Sequence, residues 1–176
     1  MKKRLSRRDS LWPDAAEVVF PSKEGGWAQV PRTIPMISAL LDTPAFGGKD
    51  DPGRVYSVLW AHSYGDGFVE VSDPALLALE AGYLTARAER SFDERMKQLV
   101  QLGFLRAKQV GLRDFGAVLL PDPHAILRRI REKEPSRIPD RWWSAFEARC
   151  AAVGIRLAES SAARPVDDDE DEDEDE

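Results

Sequence analysis

A single cysteine, Cys150, excludes an internal disulfide, and the setting expected for such a chain is reducing and cytoplasmic. Histidine is nearly as scarce. His62 and His124 lie far apart and lack Cys or carboxylate neighbours at ligand spacing, so no metal site is expected. No run of eighteen apolar residues occurs, which excludes a helical membrane span. The opening MKKRLSRRDS is basic but has none of the apolar length that a secretory signal requires. The glycine pairs in GGWA and GDG are turns, because no strand-loop-helix with a phosphate-binding lysine follows them. Cys150 falls on an apolar helical face and reads as a buried thiol, not a nucleophile. No catalytic constellation remains, so neither enzymatic activity nor a cofactor is expected.

What the chain does have is polarised charge. Its 176 residues sum to a net charge of −6, yet the last ten positions, Asp167 to Glu176, are all acidic. They account for ten of the 31 acidic groups, so residues 1–166 hold 25 basic and 21 acidic side chains. Lys2, Lys3, Arg4, Arg7 and Arg8 crowd the first eight positions. A basic start, a mildly basic body and an acidic end point to charged partners that the average composition hides. Hydrophobic content of 43% suffices for one packed domain with appendages.

Residues 1–25 read as a basic, mostly disordered arm, with local docking by Trp12, Val18, Val19 and Phe20. A short extended piece is expected at Trp27 to Val30. TIPMISALLD places Ile34, Ile37, Leu40 and Leu41 at helical spacing, with Thr33 in position to cap. Residues 43–53 are loop by Gly and Pro content. A helix is expected from Asp51 as cap and Pro52 as first residue, burying Val55, Val58, Leu59 and His62 before Gly65 and Gly67 end it. Phe68 to Val71 alternates as a short strand. Ser72 or Asp73 caps the next helix, opened by Pro74, packed through Leu76, Leu77, Leu79 and Ala81, and stopped by Gly82.

SFDE, residues 91–94, matches a capping box with Ser91 as cap and Glu94 reaching back. Phe92, Met96 and Leu99 then recur on one face until Gly103. Phe104 to Lys108 and Phe115 to Leu120 are expected strands about a turn containing Gly111 and Gly116. Pro123 to Lys133 is a helix ending in a basic run. DRWWSAFEARCAAVGI is a last amphipathic helix with Trp143, Phe146, Cys150 and Val153 roughly in line. Residues 158–176 read as a disordered acidic tail.

From LLALEAG through SFDERMKQLVQLGFLRAK the chain resembles winged helix-turn-helix DNA-binding proteins, of the kind seen in MarR-like regulators and the winged domains of plasmid replication proteins. The likeness covers about residues 51–120. It departs from the pattern in the link YLTARAER, which is longer than a minimal turn. The implied architecture is mainly α with a small β-hairpin (α+β), a winged domain over residues 26–157 with added N- and C-terminal helices. The resemblance implies double-stranded DNA as partner, with the third helix in the major groove.

Stepping 100 degrees per residue from the apolar face puts Arg87, Arg90, Glu94 and Lys97 outward if the helix extends back. Arg87 and Arg90 are the base-reading or phosphate-clamping candidates. Thr85 and Ser91 are candidate phosphate donors, and Lys108, Gln109 and Arg113 candidate wing contacts. Each has a bland alternative: surface pairing of Arg87 and Arg90 with Glu80 or Glu89, and edge-strand solubility for Lys108 and Arg113. Arg95 lies nearer the buried flank, and Asp93 and Glu94 suit a helix start.

The expected function is sequence-specific DNA binding as a bacterial transcriptional regulator. The alternatives are a replication or partition accessory of a mobile element and a winged protein-interaction module that does not bind DNA. RWWSAFEARC either caps the core or pairs with its twin in a homodimer. The tail is a solvated end, an intramolecular mimic of DNA, or a docking strip for a basic protein partner.

Overall fold

The computed structural model describes residues 2–11, 13, 28–47 and 51–157. Trp12, Val18 to Phe20, Trp27 and the 158–176 tail lie outside the described residues. The described chain is α+β: seven α-helices and one three-stranded antiparallel sheet. In chain order these are α1 (Lys2–Leu11), α2 (Ile34–Leu41), α3 (Pro52–His62), β1 (Phe68–Glu70), α4 (Pro74–Glu80), α5 (Ala88–Gln101), β2 (Arg106–Val110), β3 (Arg113–Leu119), α6 (Pro123–Lys133) and α7 (Asp140–Ala152). Single 3-10 turns occupy Pro44–Phe46 and Pro135–Arg137. α1 lies within the basic arm expected over residues 1–25, most of whose remaining residues are outside the described ones. Residues 28–30 form no strand, so the described part of the expected extended piece is irregular.

The core forms where the apolar spacing predicts. Ile37, Leu41, Val55, Leu59, Phe92, Met96 and Leu99 have no exposure at all, which joins α2, α3 and α5 into one packed unit. α3 and α2 cross closely because Gly53 has no side chain there, and its backbone N–H donates to Asp42 Oδ1 at 2.7 Å. Ser38 and Ser57 continue this seam, their hydroxyls 2.7 Å apart. Asp51 stands at the N-cap of α3 but does not cap with its side chain. Its φ of 40° turns the chain and its carbonyl accepts from Arg54.

α4 turns a different face inward from the one expected. Leu77, Ala78 and Ala81 are buried, whereas Leu76 and Leu79 are about half exposed. A helix of seven residues rich in leucine has no polar side to orient it, so its neighbours choose the face. Asp73 caps it by accepting from Leu76 N–H at 3.0 Å. α4 and α5 end alike. Tyr83 N–H reaches Ala78 O and Phe104 N–H reaches Leu99 O, with Gly82 and Gly103 at positive φ as this closing bond pattern demands.

The sheet order is β1-β3-β2. Phe68, Val69 and Glu70 face Leu119, Val118 and Ala117, so the hairpin is anchored to the strand between α3 and α4. Val69 and Val118 point into the core. Phe104 and Leu105, expected at the start of a strand, are buried residues ahead of β2. Gly116, expected in the turn, lies inside β3. A Cβ there would stand 2.5 Å from that of Val110, at the bulge between Lys108 and Val110. The turn is Gly111-Leu112 alone, with Gly111 supplying the positive φ of the first turn position.

α6 and α7 close the core on the side of α2. Asp122 caps α6 by accepting from His124 N–H at 2.9 Å. The same carboxylate oxygen meets His124 Nδ1 at 2.9 Å, and His124 Nε2 lies 2.9 Å from the Thr33 hydroxyl. Thr33 therefore does not cap α2 with its side chain. It is fully buried and its hydroxyl belongs to this Asp-His-Thr chain. Phe146 of α7 stacks on His124 with ring centres 5.9 Å apart and on Trp142 at 4.9 Å. Phe146 and Cys150 are buried in the chain's own core, while Trp143 is half-buried.

Candidate nucleic-acid interface

The candidate site is the outer face of α5 together with the β2–β3 hairpin. α5 begins at Ala88, one turn earlier than the SFDE motif indicates. The reason is local: Ala88, Glu89 and Arg90 are good helix formers, and Thr85 Oγ1 accepts from Arg87 N–H at 3.4 Å just upstream. Ser91 is consequently a half-buried residue inside the helix, its N–H bonded to Arg87 O, and not a cap. Glu94 is released from the expected capping role. It takes Arg90 Nε at 3.1 Å and Arg95 at 3.2 Å.

Extension of the helix puts Arg90 on its first turn and Arg87 at its N-cap, both exposed. The Arg90–Glu94 pair is open to solvent, 77% and 51% exposed, so it costs little to exchange for another acceptor. Thr85 is exposed in the connection before α5, and Lys97 is exposed two turns along it. Glu80 pairs with His62 at 2.6 Å, so it is engaged on α3. Arg95, with a side chain only 13% exposed, lies 5.4 Å above the Tyr83 ring and braces the α4–α5 connection.

The face is mixed in charge. Glu89, Asp93 and Glu94 accompany Arg90 and Lys97. Burial is the main cause that raises the Asp93 pKa. Lys97 opposes the rise, and Glu89 and Asp114 add to it.

On the hairpin, Lys108 is exposed and Gln109 Nε2 donates to Gly111 O at 3.0 Å. Arg113 is also exposed. Its guanidinium donates to the carbonyls of Val71, at 3.0 Å, and Ser72, tying β3 to the end of β1. Sequence reasoning missed Arg106. It precedes Lys108 by two residues and shares its face of β2, beside Leu119 and Phe68. The i, i+2 alternation of RAK carried that signal. Arg87, Lys97, Arg106 and Lys108 make no ion pair within 4.0 Å among the described residues.

The remaining chemistry of the fold is inward. Burial, then the carboxylates of Glu147 and Asp122, push the Cys150 thiol up, so it stays protonated. Among the described residues, no three His, Cys, Asp or Glu side chains are grouped to hold a metal ion. No helix there is long and apolar enough to cross a membrane. Comparison of the chain with protein-family models, with curated proteins and with solved structures returns no match.

Proposed function

We propose that this chain binds double-stranded DNA through a winged helix, with α5 in the major groove and the β2–β3 hairpin as wing. The observation that carries the reading is the order helix, strand, helix, helix, hairpin with β1 paired to β3. That pairing ties the hairpin to the strand between α3 and α4, and Arg87, Arg90 and Lys97 are exposed on α5 and at its start. Arg87 and Arg90, at the leading end of α5, are the proposed base-edge contacts, because first-turn residues of such a helix meet the groove floor. Lys97, Arg106 and Lys108 are the proposed phosphate contacts, with Thr85 as an additional hydroxyl donor. Ser91, half-buried, is a lesser candidate, and Arg113 serves the wing by fixing it to β1. The acidic side chains need not oppose this reading. Glu89 satisfies the positive end of the helix, and a glutamate in the groove accepts from cytosine.

The biological role consistent with this activity is transcriptional regulation in a bacterium, or replication and partition of a mobile element. The location of the bound site, promoter or origin, separates them. A second reading is a protein-interaction module, favoured by half-exposed Leu76 and Leu79 on α4 beside three acidic residues on α5. Fluorescence anisotropy with random duplex DNA at low salt decides between these classes. Binding that weakens steeply with salt supports the DNA reading. Absence of binding, by both the intact chain and a chain lacking residues 167–176, sinks it. Within a bound site, Arg87→Ala with Arg90→Ala should cost about 1–3 kcal/mol per base contact and relax sequence preference. Lys108→Ala should weaken all sequences alike and reduce the salt slope by about one.

A further inference from the structure

The outer face of the sheet carries side chains that the core does not use. Phe68, Leu119 and Arg106 are direct partners across β1, β3 and β2, and Glu70, Ala117 and Lys108 form the next row. Residues directly opposite in neighbouring strands share a face. All six therefore stand on the side of the sheet away from Val69 and Val118, which are buried in the core. Phe68 is 44% and Leu119 43% exposed, and Arg106, Lys108 and Glu70 are exposed. An aromatic ring mostly serves folding by burial, yet Phe68 keeps nearly half its surface in water. Arg106 and Lys108 make no ion pair within 4.0 Å among the described residues. An open aromatic ring in line with unpaired cations is the composition of a surface that stacks bases and holds phosphates.

We propose that this face of the sheet binds single-stranded DNA, with a base stacked on Phe68 beside Leu119 and the backbone running along β2. Charge sets the orientation. Both cations stand on β2, whereas β1 carries Glu70, which repels phosphate. The backbone therefore follows β2, and the bases reach across β3 toward β1. β1 lies about 10 Å from β2 across β3, a distance that one nucleotide and the arginine side chain span together. Arg106 and Lys108 are two residues apart on one strand, about 7 Å, which suits successive phosphates of an extended strand. The sugars then lie over Leu119 and Ala117 of β3, whose side chains have no hydrogen-bonding atom. A ribose 2′-hydroxyl finds no partner there, which favours DNA over RNA. A duplex cannot use Phe68 in this way, because its base faces are already stacked on one another. The proposal does not rest on the duplex-binding reading. Arg106 and Lys108 serve both ligands, but Phe68 has no part in the duplex contact.

A fluorescein-labelled decamer of deoxyuridylate, which forms no duplex, is titrated with the full chain and followed by anisotropy. Phe68→Leu keeps an apolar contact with Leu119 and should weaken binding about fivefold or more, the low end for loss of one stacked base. It should leave the affinity for a mixed-sequence duplex unchanged. Phe68→Trp should bind at least as tightly and add indole fluorescence that the bound decamer quenches; this readout decides if the leucine variant does not fold. Arg106→Gln with Lys108→Gln should reduce the slope of log affinity against log salt by about 1.4, the value for two phosphates of a single strand. Arg129→Gln with Lys133→Gln, exposed cations on α6, should leave that slope unchanged. A uridylate decamer, which differs only in its 2′-hydroxyls, should bind more weakly. No binding of the decamer, full affinity in a folded Phe68→Leu chain, no quenching in Phe68→Trp, or a salt slope that follows the α6 pair overturns the proposal. Equal binding of uridylate overturns the choice of DNA. A dimer in sedimentation that Phe68→Leu dissociates would put a second copy on this face and overturn it as well. If the duplex is not bound at all, the duplex reading fails and the decamer titration still decides this one.

Discussion

Gly53→Ala reverses the sign that helix propensity assigns to it. In an ordinary helix position alanine is better than glycine by about 0.5–1 kcal/mol. At Gly53 an added Cβ would stand 2.1 Å from Ser38 O, 2.7 Å from Ser38 C and 2.8 Å from Asp42 Oδ1. Two of these atoms are backbone of α2, which cannot rotate aside, so the helices must separate. Overpacking of this kind costs about 1–3 kcal/mol. The separation also strains the 2.7 Å bond from Gly53 N–H to Asp42. A hydrogen bond to a charged acceptor contributes about 1.5–3 kcal/mol. After the propensity gain is subtracted, a net loss of about 2–4 kcal/mol is expected, or roughly 10 °C in Tm for a domain of this size. Thermal and urea unfolding followed by circular dichroism measure it. A Gly53→Ala chain with an unchanged or raised Tm would refute the close crossing of α2 and α3.

Two carboxylates should respond to pH in opposite directions. The hydrogen bond from His124 is the largest cause holding the Asp122 pKa below its ordinary value, against a smaller opposing effect of burial. Its stabilising contribution is therefore present above the unfolded-chain value of about 3.9 and lost as pH falls through the lower folded value. Asp122→Asn should lower Tm near neutrality and flatten its acid limb; a Tm curve parallel to that of the unaltered chain would contradict the Asp122–His124 bond. Asp42 is raised, chiefly by burial and despite the Gly53 N–H. The folded chain holds that proton more tightly, so stability is lost as pH rises from about 3.9 through the folded value. Asp42→Asn, which keeps an oxygen acceptor, should abolish this decline between acid and neutral pH, and a variant that retains it would show that Asp42 is not its source.

Much of the architecture is legible in the sequence because it is written in short-range chemistry. The buried face Phe92, Met96, Leu99, the Asp73-Pro74 start of α4 and the glycines that end α4 and α5 follow from spacing and backbone preference alone. The start of α5 was harder to read. SFDE satisfies a capping pattern, but Ala88-Glu89-Arg90 continue the helix through it, and Ser91 becomes an interior residue. The orientation of α4 depends on which leucines α3 and α5 accommodate, and no periodicity in seven residues encodes that. Thr33 and His124 are 91 positions apart, and their bond exists only once α6 lies on α2. In the candidate site the exposed cations Arg87, Arg90, Lys97 and Lys108 lie outward as the helical and strand periods require. The bonds from the Arg113 guanidinium to the carbonyls of Val71 and Ser72, more than forty positions away, exist only once β3 lies on β1.

The bulge in β2 has a consequence for self-association. As an outer strand, β2 has one edge with no neighbouring strand among the described residues, and an unprotected edge invites a second copy to add its own strand and begin a fibre. Here the register breaks between Lys108 and Val110, so the edge is not a continuous ladder. Arg106 and Lys108 add like charges that an approaching copy would have to bury against its own. The opposite edge, β1, spans only three residues and offers little to extend. The irregularity that the missing side chain of Gly116 permits thus also keeps a small sheet from becoming a template for aggregation.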